Sequence, residues 1–354
     1  MTNAVDKATT IREGEELDLG VLEAYLKDSI PGLEGALTAK QFPSGFSNLT
    51  YLLKVGEREM ILRRPPFGSK VKSAHDMGRE YKVLSALSPV YPPAPKPLVF
   101  CEDEAILGAD FYVMERIKGI IVRGNKPDGF HVDATTVQAA CESMIDNLAK
   151  LHSLDYNAAG LGDMKRDGSY VERQVKGWVK RYGGSQTDEV ESMDQVGQWL
   201  EANYPADTDS VLVHNDYKFD NVVLDPSDLT KIIGVLDWEM CTIGDPLMDL
   251  GTSLGYWMEP KDTDIGVVSC FFTNEPGYIN RQAVIDRYEA QSGRDVSNVL
   301  FYYVFGIYKL SVIVQQIYYR YKKGLTKDKR FAALIFVVGA LGMRAMEAID
   351  QGKI

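Results

Sequence analysis

Residues 211–240 read VLVHNDYKFDNVVLDPSDLTKIIGVLDWEM, and this stretch holds the side chains whose types and spacing suit chemistry. Asn221 follows Asp216 by five residues, and Asp237 stands sixteen residues beyond Asn221. An amide oxygen and a carboxylate are hard oxygen ligands. Magnesium takes a few such ligands from protein and the rest from water and phosphate. A further carboxylate, Asp216, can accept a proton from a hydroxyl. The surrounding pattern says how these groups are carried. Residues 211–213 and 222–224 are apolar, Asp225-Pro226-Ser227-Asp228 is turn chemistry, and a third apolar run ends directly at Asp237. A strand, a polar loop, a hairpin and a polar strand end are expected, with Asp216, Asn221 and Asp237 held close together.

His214 through Asn221 fits the pattern HxDxxxxN, followed by a strand ending in aspartate. The stretch resembles the aminoglycoside phosphotransferase family. The same spacing occurs in kinase catalytic loops, where the first aspartate is the base and the asparagine and later aspartate hold magnesium. The resemblance covers roughly residues 36–320. It implies an α+β, protein-kinase-like fold, with a small N-terminal lobe built on an antiparallel sheet and one helix, and a larger, mainly helical C-terminal lobe. It also implies ATP and Mg2+ as the reaction's requirements and a small-molecule hydroxyl as acceptor.

The totals fit one large or two fused domains: 354 residues, 45% of them hydrophobic. The net charge of -11 speaks against nucleic acid as a partner. Cys101, Cys141, Cys241 and Cys270 are widely spaced with no CxxC pair, which suits a reducing, cytoplasmic setting rather than a disulfide framework or zinc site. Residues 1–20 are polar and charged, unlike a signal peptide. The longest apolar run, residues 299–319, contains Lys309, Gln315 and Gln316 and reads as a buried helix, not a membrane span.

Taken in order, residues 18–29 read as a helix, and residues 36–42 and 49–55 as paired strands. Between them lie Ser44, Gly45, Phe46 and Ser47, small and polar residues whose backbone N–H groups could meet phosphate. The residue types alone leave a plain hairpin equally open. A third strand ends in Arg63 and Arg64. Strand alternation puts them on opposite faces, and Arg63 is the candidate phosphate contact in the position where kinases carry lysine. An arginine can clamp phosphate bidentately. Residues 73–76 have a capping-box outline. In the helix that follows, Glu80 falls near the centre of the apolar face and needs a cation, for which Arg63 is the candidate. Residues 89–97 contain five prolines and form an irregular connection. Two further strands lead to Glu115 and Ile117, where the resemblance implies main-chain contacts to adenine. The domain boundary is expected there, giving lobes of residues 1–117 and 118–354.

The C-terminal part reads as helices, with stripes at residues 137–151, 171–182 and 193–200, then 281–291, 296–323 and 328–350. His214 is expected to orient the catalytic loop by hydrogen bonding, and Asp249 to accept from loop backbone. Asp245 stands where it would cap a helix. Seven residues separate Asp237 from Asp245, too few for a peptide-docking segment. A small acceptor is therefore expected.

Leu62-Arg63-Arg64-Pro65-Pro66 and Asp237-Trp238-Glu239-Met240 resemble the subgroup of these kinases fused to acyl-CoA dehydrogenases. That resemblance implies a hydroxyacyl-CoA or related hydroxy acid as acceptor, and Lys70 and Lys72 add positive charge for a CoA. Aminoglycosides and amino-alcohols are the alternatives within the enzyme class, and a pseudokinase or nucleotide-sensing module is the alternative outside it.

Overall fold

A computed structural model describes residues 5–43, 48–67, 76–127, 129–260, 262, 270–326 and 328–354. The loop residues Ser44, Gly45, Phe46 and Ser47 lie outside the described residues, as do Lys70, Lys72 and Ser73. The chain divides into two compact units. The first comprises Met1–Ile121, Val222–Asp228 and Ile232–Cys241, and the second Val122–Asn221, Leu229–Lys231 and Thr242–Ile354.

The first unit is built on a five-stranded antiparallel sheet of order β1-β2-β3-β5-β4, with β1 Leu37–Gln41, β2 Leu49–Val55, β3 Arg58–Arg64, β4 Pro97–Cys101 and β5 Phe111–Glu115. Helix α1, Leu19–Ser29, starts at Asp18, whose side chain accepts from the N–H groups of Gly20 and Val21. Leu22 and Leu26, one turn apart, face inward and join the core formed by Leu49, Leu53, Leu62 and Val113. Helix α2, Met77–Leu87, begins three residues later than a capping box over residues 73–76 suggests. Asp76 itself is the N-cap and accepts from Arg79 N–H. A short helix α3, Glu104–Leu107, fills the connection from β4 to β5. Strands β7, Val222–Asp225, and β8, Asp228–Val235, form the expected hairpin, with Asp225 accepting from the Ser227 N–H in its turn. Residues after β5 join this hairpin, because Ile120 and Leu224 exchange backbone hydrogen bonds.

The second unit is helical: α4 Ala134–His152, α5 Tyr170–Ser185, α6 Glu191–Asn203, α7 Pro246–Tyr256, α8 Arg281–Ser292, α9 Val299–Lys322 and α10 Leu334–Gln351. One small antiparallel pair, β6 Val211–Val213 with β9 Thr242–Gly244, is set among them. Helix α7 opens on an Asp245 cap with Pro246 at its first position, where proline's missing N–H costs nothing. Helices α7 and α9 cross in near backbone contact. A Cβ at Gly251 would stand 2.1 Å from the Tyr302 carbonyl oxygen, and one at Gly306 would stand 1.9 Å from that of Gly251. Glycine at both positions therefore sets the distance between the helix that carries Asp249 and the helix that carries Lys309. By length and composition, α9 and the helical stretch at Lys329–Gln351 are each apolar enough to cross a membrane. The most apolar window of α9 is 78% buried in this unit, as a core helix is.

Candidate active site

In the second unit β6 delivers the chain into a polar loop, and a turn of 3-10 helix at Phe219–Asn221 takes it out. Asp216 sits in this loop. The Asn221 amide nitrogen donates to the Asp216 backbone carbonyl at 2.8 Å and to its Oδ2 at 2.8 Å. A carbonyl can only accept, so the amide must turn its nitrogen inward. Its oxygen is thereby directed the other way, as a metal ligand requires.

The loop is held from below by one buried carboxylate. Asp249 Oδ2 accepts from His214 N–H at 2.7 Å and Oδ1 from Asn215 N–H at 2.8 Å. His152 Nε2 lies 3.2 Å from the same carboxylate. Burial pushes the Asp249 carboxyl up, but the hydrogen bond and charge of His152, with His214 beside it, bring it below the usual aspartate value. His214 adds a local bond, its Nδ1 accepting from the Asp216 N–H at 3.2 Å.

Lys218 is a member of this site that the sequence pattern did not single out. Its Nζ donates to both Asp216 oxygens, at 2.8 and 2.7 Å, and lies 4.4 Å from the centre of the Tyr256 ring. Burial opposes its charge, yet Tyr256 and Asp216 hold it above the ordinary lysine value. Beside this pair is a cavity of about 160 Å³, lined by Met144, Ile145, Phe219 and Trp257 and also by Lys218, Asp220 and Tyr256.

In the first unit Arg63 Nη2 lies 2.8 Å from Asp237 Oδ1 and 3.9 Å from Glu239 Oε2, and its Nε lies 3.4 Å from Glu80 Oε2. Glu80 is 1% exposed and Arg63 8%. Burial opposes the Arg63 charge, but Glu80 and Asp237 raise its pKa well above the usual value. Burial likewise pushes the Glu80 carboxyl up against the pull of Arg63. Arg64 takes the opposite face, where its guanidinium donates to the carbonyls of Leu107 and Pro65 and stacks 3.6 Å over the Phe67 ring. The two arginines therefore divide their work, Arg63 among carboxylates and Arg64 in packing.

Asp237 has φ 68°, and Asn215 has φ 66°. Among the described residues these are the non-glycine positions in the left-handed region, and both flank candidate chemistry, where backbone strain concentrates. Helix α2 steadies the segment after Asp237: Arg79 donates to the Cys241 carbonyl at 2.6 Å, and the Asn48 amide donates to Glu239 Oε2 at 2.8 Å. Trp238 anchors it in the core, edge-on to Tyr91, with its indole N–H on the Val235 carbonyl. Glu115 closes β5 with its N–H on the Lys96 carbonyl, and Ile117 follows in the linker, its side chain against Gly234.

The structure thus groups Asp216, Asn221, His214 and Asp249 in the second unit, and Arg63, Glu80 and Asp237 in the first. Among the described residues no group of three or more His, Cys, Asp or Glu side chains is arranged to hold a metal. Asn221 in the second unit offers an amide oxygen and Asp237 in the first a carboxylate, each a donor type that magnesium accepts. The three carboxylates that share one guanidinium at Arg63 leave a surplus of negative charge that suits a divalent cation.

Residues 38–270 match the family described as "Phosphotransferase enzyme family". The chain belongs to this family. A relative from Rattus norvegicus, named acyl-CoA dehydrogenase family member 11, is 36% identical over 316 residues, which is 87% of this chain and 40% of the relative. The chain therefore spans about two fifths of that relative's length. Among solved structures, a Ralstonia eutropha protein named for the aminoglycoside phosphotransferases has a TM-score of 0.79 and 28% identity, covering 95% of this chain and 99% of that one. An aminoglycoside phosphotransferase solved in ternary complex with ADP and hygromycin B shares the fold at TM-score 0.58 and 15% identity, covering 93% of this chain and 98% of that one. The fold is the kinase-like one of the small-molecule phosphotransferases.

Proposed function

We propose that this phosphotransferase moves the γ-phosphate of ATP to a hydroxyl of a small molecule, and that the acceptor is a hydroxyacyl-CoA or related hydroxy acid. The observation that carries the reading is the pinning of Asp216. Asn221 and Asp249 fix its loop from two sides, and an apolar cavity opens beside it. Asp216 receives the proton of the attacking hydroxyl and holds that oxygen in line with the phosphate. Lys218 leaves the Asp216 carboxylate for the incoming phosphate oxygens, which frees a carboxylate lone pair for the hydroxyl. Asn221 and Asp237 would hold magnesium, which when bound offsets the charge of the phosphates. Arg63, kept in place by Glu80, presents its fork to a phosphate oxygen. The main chain of Glu115 and Ile117 meets adenine. Most of the acceleration comes from positioning and charge complementarity, not from covalent chemistry.

The acceptor reading draws on the relative's name and on the cavity walls. Met144, Ile145, Phe219 and Trp257 offer an aliphatic or aromatic surface, which suits a hydroxylated acyl chain better than a polycationic sugar. Four free cysteines suit a reducing compartment such as the cytoplasm. The test is phosphate transfer from ATP to a 4-hydroxyacyl-CoA and, in parallel, to kanamycin. Transfer to the thioester is the expected result. Turnover on kanamycin alone overturns the acceptor, and magnesium-dependent ATP binding without transfer to any hydroxyl favours a sensing module.

A further inference from the structure

Helix α9 is apolar on nearly every side, yet Lys309 sits in its middle and is 2% exposed. Among the described residues its ammonium has no ion-pair partner. Its Nζ donates to the Asn215 backbone carbonyl and lies 5.5 Å from the centre of the Trp178 ring on α5. A lysine buried without a carboxylate partner costs several kcal/mol, and a methionine of similar length would pack in the same groove. The packing of α9 alone does not call for this residue. The place where its one hydrogen bond lands does.

We propose that Lys309 is a positioning residue for Asp216, acting through the peptide that joins Asn215 to it. The proposal rests on the phosphoryl-transfer reading for its consequence and on geometry for its existence. Asn215 is anchored at three of its polar groups. Its N–H donates to Asp249 at 2.8 Å, its side-chain oxygen accepts from the Tyr170 hydroxyl at 2.9 Å, and its carbonyl accepts from Lys309. With φ at 66° the residue lies in the left-handed region, which asparagine tolerates better than most non-glycine residues. The carbonyl anchor sets ψ of Asn215, and ψ sets the direction in which the Asp216 side chain leaves the backbone. Asp249 and Tyr170 hold the other side of the residue, whereas His214 Nδ1 accepts from the N–H of this same peptide at 3.2 Å, so Lys309 and His214 fix it from its two edges. The charged groups that face the ammonium are Asp216 and Lys218 in the loop, Asp249 on α7 and Arg181 on α5. The two carboxylates favour its charge and the two cations oppose it, so Lys309 also places a positive charge behind the base.

The experiment compares the full chain with Lys309→Met and Lys309→Arg. In Lys309→Met, kcat is expected to fall about 10- to 100-fold, the scale for a misplaced catalytic group, with ATP KM close to the parent's and a melting temperature near pH 7 no lower than the parent's. Lys309→Arg keeps a donor and is expected to recover part of kcat. Amide hydrogen exchange gives a readout independent of turnover: residues 214–218 are expected to exchange faster in Lys309→Met, and the ends of α9 are not. Unchanged exchange at residues 214–218 overturns the inference, whatever the activity. If the parent transfers no phosphate but Lys309→Met still loosens residues 214–218, the phosphoryl-transfer reading falls and the anchoring role stands. Should Lys309→Met not fold, Lys309→Arg carries the test, with exchange at residues 214–218 at the parent's rate and kcat partly retained if the donor is what matters. Faster exchange there together with a kcat as low as in an Asp216→Asn chain overturns it.

Discussion

Arg63 Nη2 and Asp237 Oδ1 meet at 2.8 Å, so a guanidinium from the middle of the sheet holds the carboxylate at the end of β8. Glu80, from α2, shares the same guanidinium. One arginine therefore ties a strand, a helix and a strand end together. Arginine's planar fork spreads one charge over positions facing all three carboxylates, which a lysine ammonium would match only in part.

Removing that guanidinium is expected to cost both fold and nucleotide. Arg63→Ala leaves Glu80 buried without its cation, a loss on the order of 3 kcal/mol, read as a lower melting temperature. ATP KM rises in the same variant. Arg63→Lys retains part of both. Unchanged melting temperature and KM in Arg63→Ala would move the phosphate role elsewhere, and the packing of Arg64 against the Leu107 carbonyl makes it a poor replacement.

The base and the proposed metal ligands should separate in calorimetry. Asp216→Asn keeps Mg-ATP binding near the parent's but lowers turnover about 100-fold or more, the scale for a lost positioned base. Asp237→Ala weakens Mg-ATP binding itself. Normal turnover in Asp216→Asn removes Asp216 from the role of base.

The spacing of Asp216, Asn221 and Asp237 was legible in the sequence because each sits at the end of an apolar run that reads as a strand. The pairing of Arg63 with Glu80 was legible because helical periodicity puts a carboxylate on an apolar face, where it needs a cation. Lys218 and Lys309 were not legible. Lys218 looks like any polar loop residue, and its hold on Asp216 depends on a loop shape that no local pattern encodes. Lys309 reads as a polar break in an apolar helix, and only the close α7–α9 crossing at Gly251 and Gly306 brings it behind Asn215. Asp76 takes the cap of α2 because its own φ and ψ are already non-helical, so the ladder starts after it.

Lys309 also makes a prediction about pH. Burial lowers its pKa to about 8, below the ordinary lysine value of 10.5. Between those values the unfolded chain binds more protons than the folded one, so stability rises with pH across that window. The penalty for burying the ammonium is present in full below pH 8 and is relieved toward 10.5. Against the parent, Lys309→Met should be relatively most stable near pH 7, with the difference narrowing by pH 10. Melting curves across this range read the effect. A constant difference would mean that Lys309 does not titrate there.

The strongest structural dependence falls on Asp249. Its two oxygens take separate backbone N–H groups, from His214 and Asn215, with 0% exposure of the residue. An asparagine offers one accepting oxygen, and its NH2 must face one of those donors. A buried N–H left without an acceptor costs about 1–3 kcal/mol. Asp249→Asn should therefore lower the melting temperature and speed amide exchange at residues 214–216, while ATP KM moves less than kcat. The carboxyl's pKa lies below its ordinary value in the fold, so its contribution is present above the unfolded value of 3.8 and is lost as pH falls through the folded one. The parent should thus lose stability on acidification below that value more steeply than Asp249→Asn. Parallel acid limbs in the two proteins would show that the loop does not hang on this carboxylate.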